Sequence, residues 1–120
     1  MINDAEYEAF VCSLAKPGAD ILASLTPEKV DAWHMATGVC TEAGELLDAV
    51  KKYVVYEKPV DLENILEELG DLEYYMAGIR MRFQINRKNI LRKNEEKLKK
   101  RYSKGYSNKQ ASERADKNGS

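Results

Sequence analysis

The sequence predicts an all-α fold built on an antiparallel helical hairpin with flanking helices. Apolar residues recur at helical spacing through most of the chain, helix-start signals stand at Thr26-Pro27, Asp61 and Asn86, and no segment shows a β-strand pattern. A length of 120 residues fits one domain. We expect residues 1–104 to form it and the polar residues 105–120 to be an extended or disordered tail.

The first predicted helix is short. Asn3 or Asp4 caps it, its apolar stripe contains Tyr7, Phe10, Val11 and Leu14, and Lys16-Pro17-Gly18 ends it. Residues 19–25 fit either a loop or a short turn that packs its leucines and isoleucine on the core.

The second helix is long. Thr26 is a good N-cap, Pro27 suits the first helical position, and Glu28 suits the positive end of the helix dipole. Its apolar positions recur at helical spacing through Val30, Trp33, Ala36, Val39, Cys40, Ala43, Leu47, Val50 and Val54. Gly38 and Gly44 interrupt this pattern, and each destabilises a helix interior by about 1 kcal/mol relative to alanine. Close helix packing or room for a ligand would account for them.

Two more helices follow. Glu57-Lys58-Pro59 breaks the pattern, and Asp61 then caps a helix with the apolar stripe Leu62, Ile65, Leu66, Leu69, Leu72, Met76, Ile79 and Phe83. Asn86 caps the last helix, which runs to about Arg101 with a narrow stripe of Ile90, Leu91 and Leu98.

Charge is divided sharply along the chain. Residues 1–79 carry 5 Lys/Arg against 16 Asp/Glu, whereas residues 80–104 carry 11 against 2, although the net charge is only −1. A metal site beside an anion site would need this combination.

Cys12 and Cys40 lack metal-type spacing, and we expect them to be reduced and buried, with a single disulfide as the alternative. No apolar run approaches a membrane span, so we expect a soluble, cytoplasmic protein.

Two acid pairs mark the candidate site. Glu42 with Glu45, and Glu68 with Asp71, are each spaced i,i+3 on one helix face. The pairs are also equidistant from Tyr56-Glu57, so a hairpin turning there brings four carboxylates together. Such a cluster needs a cation, most simply Mg²⁺, with Mn²⁺ as a substitute.

A solvated helix face is the alternative reading of either pair alone, because exposed helices commonly carry acids at this spacing. The surrounding residues favour the metal site, since they are Ala, Gly and Leu with no nearby Lys or Arg until Lys51. Glu67 is a fifth acid, suited to neighbour a ligand or to deprotonate a water.

The basic segment 80–104 could bind the phosphates of a small ligand. The two alternatives are that it forms a solvated helix face or that it contacts nucleic-acid phosphates. The acidic remainder of the chain would repel a duplex, so a nucleic-acid partner is not expected.

Three elements resemble the MazG-like family of all-α nucleoside triphosphate pyrophosphohydrolases. The run from His34 to Lys52 contains E-x-x-E, the run from Leu66 to Tyr75 contains E-x-x-D, and Asn94 to Tyr102 matches N-x-x-K-L-x-x-R-Y. Thr41 stands where the fuller family pattern has a leading acid. The resemblance covers about residues 30–106.

The resemblance implies cleavage of a (d)NTP between the α and β phosphates, giving a monophosphate and pyrophosphate, as house-cleaning of non-standard or surplus nucleotides. Glu42, Glu45, Glu68 and Asp71 would hold Mg²⁺, and Glu45 or Glu67 would orient the water. The candidate phosphate contacts are Lys52, Asn94, Lys97, Arg101 and Tyr102. The candidates for stacking on the base are Trp33, His34, Tyr74 and Tyr75, although aromatics at helical spacing are more often core residues.

Association is expected because two long amphipathic helices and one flanking helix leave apolar stripes uncovered. The resemblance implies a homodimer or homotetramer, with a neighbour's basic tail able to complete each site. A non-catalytic helical module that senses nucleotides or binds partners through the same residues is the alternative function.

Overall fold

The computed structural model describes residues 1–103, and these form five helices. The helices are α1 (Asp4–Leu14), α2 (Gly18–Ser24), α3 (Pro27–Val54), α4 (Leu62–Phe83) and α5 (Arg87–Arg101). The all-α prediction is therefore confirmed, and the segment left open between loop and turn forms α2. The predicted tail at 105–120 lies outside the described residues.

Four of the five helices, all except α2, begin where their capping residues predict. Each capping side chain accepts a hydrogen bond from a first-turn backbone N–H: Asn3 from Glu6 (2.8 Å), Thr26 from Lys29 (3.2 Å), Asp61 from Asn64 (3.1 Å) and Asn86 from Lys88 (2.8 Å). These bonds satisfy donors that have no partner within the helix. At the other end of α4, Gln84 adopts a left-handed conformation (φ 53°) and its N–H returns to the carbonyls of the last turn.

The α3–α4 hairpin organises the chain. It is the only extensive contact between helices in the described part, and α1, α2 and α5 touch other helices at most marginally. Three facing pairs show that the two helices run antiparallel and are in register: Asp31 with Arg82 (Oδ2 to Nε, 4.0 Å), Met35 with Gly78, and Gly38 with Tyr75. Each pair is equidistant from the turn at residues 56–57, as the mirrored acids predict.

The core of the single chain is thin. Among residues 1–103, Ala49 is the one buried apolar side chain, at 5 % exposure, and large apolar side chains stay exposed on every helix. The radius of gyration is 20.2 Å, against about 14 Å for a compact domain of this length.

The predicted burial of the two cysteines is wrong for the single chain, because Cys12 and Cys40 are both free and exposed. Cys12 lies on α1 and Cys40 on α3, and neither side chain is covered within residues 1–103. Helical spacing places apolar residues near both cysteines in the sequence. It does not specify which surface packs over them. In the described residues, no helix is long and apolar enough to cross a membrane.

Candidate metal site

Three carboxylates converge at the α3–α4 interface. Glu42 on α3 and Glu68 and Asp71 on α4 each offer one oxygen, and these oxygens lie within 4.8 Å of one another. Glu42 and Glu68 are half-buried, whereas Asp71 is exposed. We call these three residues the acidic triad. The sequence predicted all three as neighbours.

The acidic triad occupies positions that otherwise serve packing. Glu42 lies seven residues from Met35 and seven from Ala49, and seven residues are two helical turns. Asp71 is likewise seven residues before Gly78, which is buried against Met35. Carboxylates therefore replace apolar groups in the middle of a helix–helix interface, where their charge is costly without compensation.

The raised pKa of Glu68 reflects this cost. Partial burial is the main cause that raises the pKa of Glu68 above its ordinary value of 4.5. The neighbouring Glu42 carboxyl, with which Glu68 can share a proton, and the negative charges of Glu42, Asp71 and Glu45 raise the pKa further. Its Oε2 atom is buried and accepts no hydrogen bond. The donor set consists of carboxylate oxygens alone, which suits a hard divalent cation.

Glu45 and Glu67 are not members of the acidic triad. The charge of Glu45 reaches Glu68, but its oxygens are not part of the group within 4.8 Å. Glu67 is exposed on α4, next to Glu68 in sequence. Their assignment as a further ligand or as the group that orients water stays a prediction.

Three of the predicted phosphate contacts, Lys52, Asn94 and Lys97, make no hydrogen bond or ion pair with the acidic triad within residues 1–103. Lys52 makes an ion pair with Asp48 (3.3 Å), one turn away on α3. Asn94 and Lys97 are exposed on α5, and in the described structure no hydrogen bond or ion pair joins either of them to the acidic triad. Arg101 and Tyr102 are half-buried at the end of α5. Their roles as substrate contacts stay predictions.

The aromatic candidates divide into packed and open side chains. Tyr75 is half-buried, with its ring over Gly38 and edge-on contacts to His34 (ring centroids 6.4 Å apart) and Tyr74 (5.1 Å). Trp33 is 68 % exposed on α3. Tyr75 therefore packs one turn from the acidic triad. The sequence offered a core role as the alternative for such aromatics, but it did not pair Tyr75 with Gly38. Its position opposite Gly38, at equal distance from the turn, is the signal that would have identified it.

Comparison with known proteins adds no relative, because no family model, curated protein or solved structure matches this chain.

Proposed function

We propose that this chain is a Mg²⁺-dependent nucleoside triphosphate pyrophosphohydrolase of the MazG-like, all-α type. The substrate is a (d)NTP, the bond cleaved lies between the α and β phosphates, and the role is house-cleaning of nucleotides in the cytoplasm. One observation carries the proposal, namely the acidic triad at the α3–α4 interface. The charge division along the chain supports it, because a metal-bound polyphosphate needs both signs of charge.

The side chains present fit a divalent cation. Glu42, Glu68 and Asp71 offer three carboxylate oxygens in one small volume, and the buried Oε2 of Glu68 accepts no hydrogen bond from the protein. Mg²⁺, or Mn²⁺ in its place, would polarise the phosphate oxygens and would neutralise charge on the departing pyrophosphate.

The chain's own residues would divide the remaining work. Glu45 or Glu67 would accept a proton from the attacking water, because the charge of Glu45 reaches Glu68 and Glu67 is next to Glu68 in sequence. The groups proposed to bind and orient the phosphates are Lys52, Asn94, Lys97, Arg101 and Tyr102. Trp33, His34 and Tyr75 are the proposed contacts to the base.

The proposed active form is a homodimer or homotetramer. Among residues 1–103, α5 makes no extensive contact with the α3–α4 hairpin, so we expect Asn94 and Lys97 to approach the acidic triad of a neighbouring copy. Self-association would also cover apolar side chains that remain exposed on every helix.

The product assay tests this proposal. The full chain is incubated with a panel of (d)NTPs and Mg²⁺, and the products are separated by ion-exchange chromatography. We expect a monophosphate and pyrophosphate, and loss of turnover in Glu42→Gln. Glu63→Gln is the matched control, since Glu63 is an exposed acid in the first turn of α4. Diphosphate and orthophosphate as products would contradict the assigned bond.

The second candidate function is a non-catalytic module that binds nucleotides. Asn94 and Lys97 make no hydrogen bond or ion pair with the acidic triad within residues 1–103, which favours this candidate, because a nucleotide held there through its metal alone would lack the contacts that position it for cleavage. Mg²⁺-dependent nucleotide binding by calorimetry, with no turnover of any nucleotide in the panel, would select this candidate over the enzyme.

A further inference from the structure

A groove lies between the C-terminal part of α4 and the N-terminal part of α5. Its volume is about 270 Å³, which suits a small ligand. Each helix contributes one arginine and two apolar side chains at the i, i+3, i+4 spacing of a single helix face. These six residues are Met76, Ile79 and Arg80 from α4, and Arg87, Ile90 and Leu91 from α5. We call this site the α4–α5 groove.

The two arginines lie at the end of the groove nearest the turn between the helices. Arg80 precedes Gln84, the C-cap of α4, by four residues, and Arg87 is the first residue of α5. Met76 and Leu91 each lie four residues further from the turn on their own helices, which is a little more than one helical turn. The groove therefore has a cationic end at the turn and an apolar part beyond it.

The cationic end lacks an anion. Within residues 1–103, neither Arg80 nor Arg87 makes an ion pair, although Arg80 is half-buried. Glu73 also lines the groove, but it precedes Arg80 by seven residues, or about 10 Å along α4. A guanidinium partly removed from water is stabilised by a carboxylate or a phosphate, whose oxygens match its fork of N–H donors. Charge complementarity therefore places an anionic group between the two arginines.

The remaining side chains specify the rest of the ligand. Ile90 is 43 % exposed and Leu91 is 52 % exposed, so apolar surface is open to a ligand beyond the arginines. None of the lining residues is aromatic, so a nucleobase would have no ring on which to stack. Glu73, at the end away from the arginines, would repel a second anionic group. The ligand that fits has one anionic end and an aliphatic body.

We propose that the α4–α5 groove binds an aliphatic chain that ends in a carboxylate or a phosphate. The anionic group lies between Arg80 and Arg87, and the chain runs past Met76 and Leu91 towards Glu73. The distance of about 10 Å from Arg80 to Glu73 along the helix axis limits the ligand to a chain of medium length. The site does not depend on the proposed activity, because no member of the acidic triad and no proposed substrate contact lines it among residues 1–103.

Titration of the full chain, labelled with ¹³C at its methyl groups, tests this site. The ligands are octanoate and octyl phosphate, and NMR spectra report the protein's methyl resonances. At least one of the two anions should bind saturably, one molecule per chain, and shift the methyl resonances of the groove. Octanol, which has the same chain length without the charge, should bind at least 10-fold more weakly.

Three results of the titration would overturn the proposal: no saturable binding of either anion, shifts confined to methyl groups outside the groove, or equal affinity for octanol. A helix of a second copy is the other possible occupant of a groove between two helices. If it filled the groove, neither anion would bind, so that result also counts against the proposal.

Three arginine variants test the position of the anionic group. Arg80→Met and Arg87→Met should each raise the dissociation constant of the bound anion at least 10-fold. Arg87 is exposed, so its replacement keeps the test valid if loss of the half-buried Arg80 disturbs folding. Arg92→Met is the matched control, because Arg92 is exposed on α5 and does not line the groove.

We expect Arg92→Met to keep the wild-type affinity. Unchanged affinity in both Arg80→Met and Arg87→Met would overturn the proposal. An equal loss in Arg92→Met would also overturn it, since it would show that the anion responds to the overall charge of the basic segment and not to the groove.

Discussion

The carboxylates of Glu42 and Glu68 meet across the α3–α4 interface, and both side chains are half-buried. Glu68 is partly removed from water and is also repelled by Glu42, which is why the pKa of Glu68 is raised. A cation bound at this layer would therefore stabilise the folded hairpin.

The metal-free protein should lose stability as pH rises through the range above 4.5, the ordinary pKa of Glu68. The folded state holds the Glu68 proton more tightly than the unfolded state does, so this contribution is full below that value and disappears as pH passes the raised folded pKa. Urea unfolding in EDTA at several pH values should show a weaker decline in Glu68→Gln than in the wild type. A steeper decline in the variant would contradict the raised pKa.

Mg²⁺ should reverse that loss. A cation at the acidic triad competes with the proton, so the rise in melting temperature on adding Mg²⁺ should be larger at pH 8 than at pH 5. Saturation to 100 times the dissociation constant would add about 2.7 kcal/mol to the free energy of unfolding. Asp71→Asn should abolish most of the shift, while Glu63→Gln keeps it. Equal Mg²⁺ shifts in Asp71→Asn and wild type would remove the triad as the binding site.

Local chemistry made much of the fold predictable. Caps such as Thr26 and Asp61 act within one turn, so their hydrogen bonds follow from the sequence alone. The pairing of Glu42 with Asp71 also followed, because a short turn between two long helices fixes which residues face each other.

Other features depend on surfaces that helical spacing does not specify. The exposure of Cys40 and the limited contact of α5 with the hairpin among residues 1–103 depend on which surfaces meet in the folded or assembled protein. The same limit applies to Glu45, since i,i+3 spacing selects a helix face but does not fix a carboxylate to within an ångström.

Gly38→Ala should destabilise the hairpin by about 1–3 kcal/mol, because the new Cβ would overlap the ring of Tyr75 and the ring has little freedom to move. Gly70→Ala is the matched control, since nothing lies within 4 Å of the corresponding position. That control should be stabilised by about 0.5–1 kcal/mol from helix propensity. Chemical unfolding followed by circular dichroism measures both, and equal effects would show that Tyr75 does not pack against Gly38.

Gly78→Ala should cost less than Gly38→Ala. Its Cβ would meet the side chain of Met35, chiefly the sulfur, and an unbranched methionine side chain can change rotamer to make room. The same unfolding measurement compares the two variants directly. If Gly78→Ala lowered the free energy of unfolding more than Gly38→Ala, the more rigid contact would be the one at Met35 and not the one at Tyr75.

Mixing two inactive variants should restore activity if the basic helix of one copy completes the acidic triad of another. Glu42→Gln lacks a metal ligand and Lys97→Ala lacks a phosphate contact, and each is expected to be nearly inactive alone. Equal amounts refolded together give mixed dimers in which one of the two sites has both residues intact. Random pairing then returns about a quarter of wild-type turnover.

The control for this mixing experiment is Glu42→Gln refolded with wild type, which sets the scale for random pairing. A double variant carrying both changes in one chain, refolded with Glu42→Gln, should stay inactive. If Lys97 instead reached the acidic triad of its own chain, every site in the mixed dimers would lack one of the two groups, and the turnover would not rise above that of the separate variants. Restoration would assign α5 to its neighbour's site and explain why Lys97 contacts no acid of the triad within one chain.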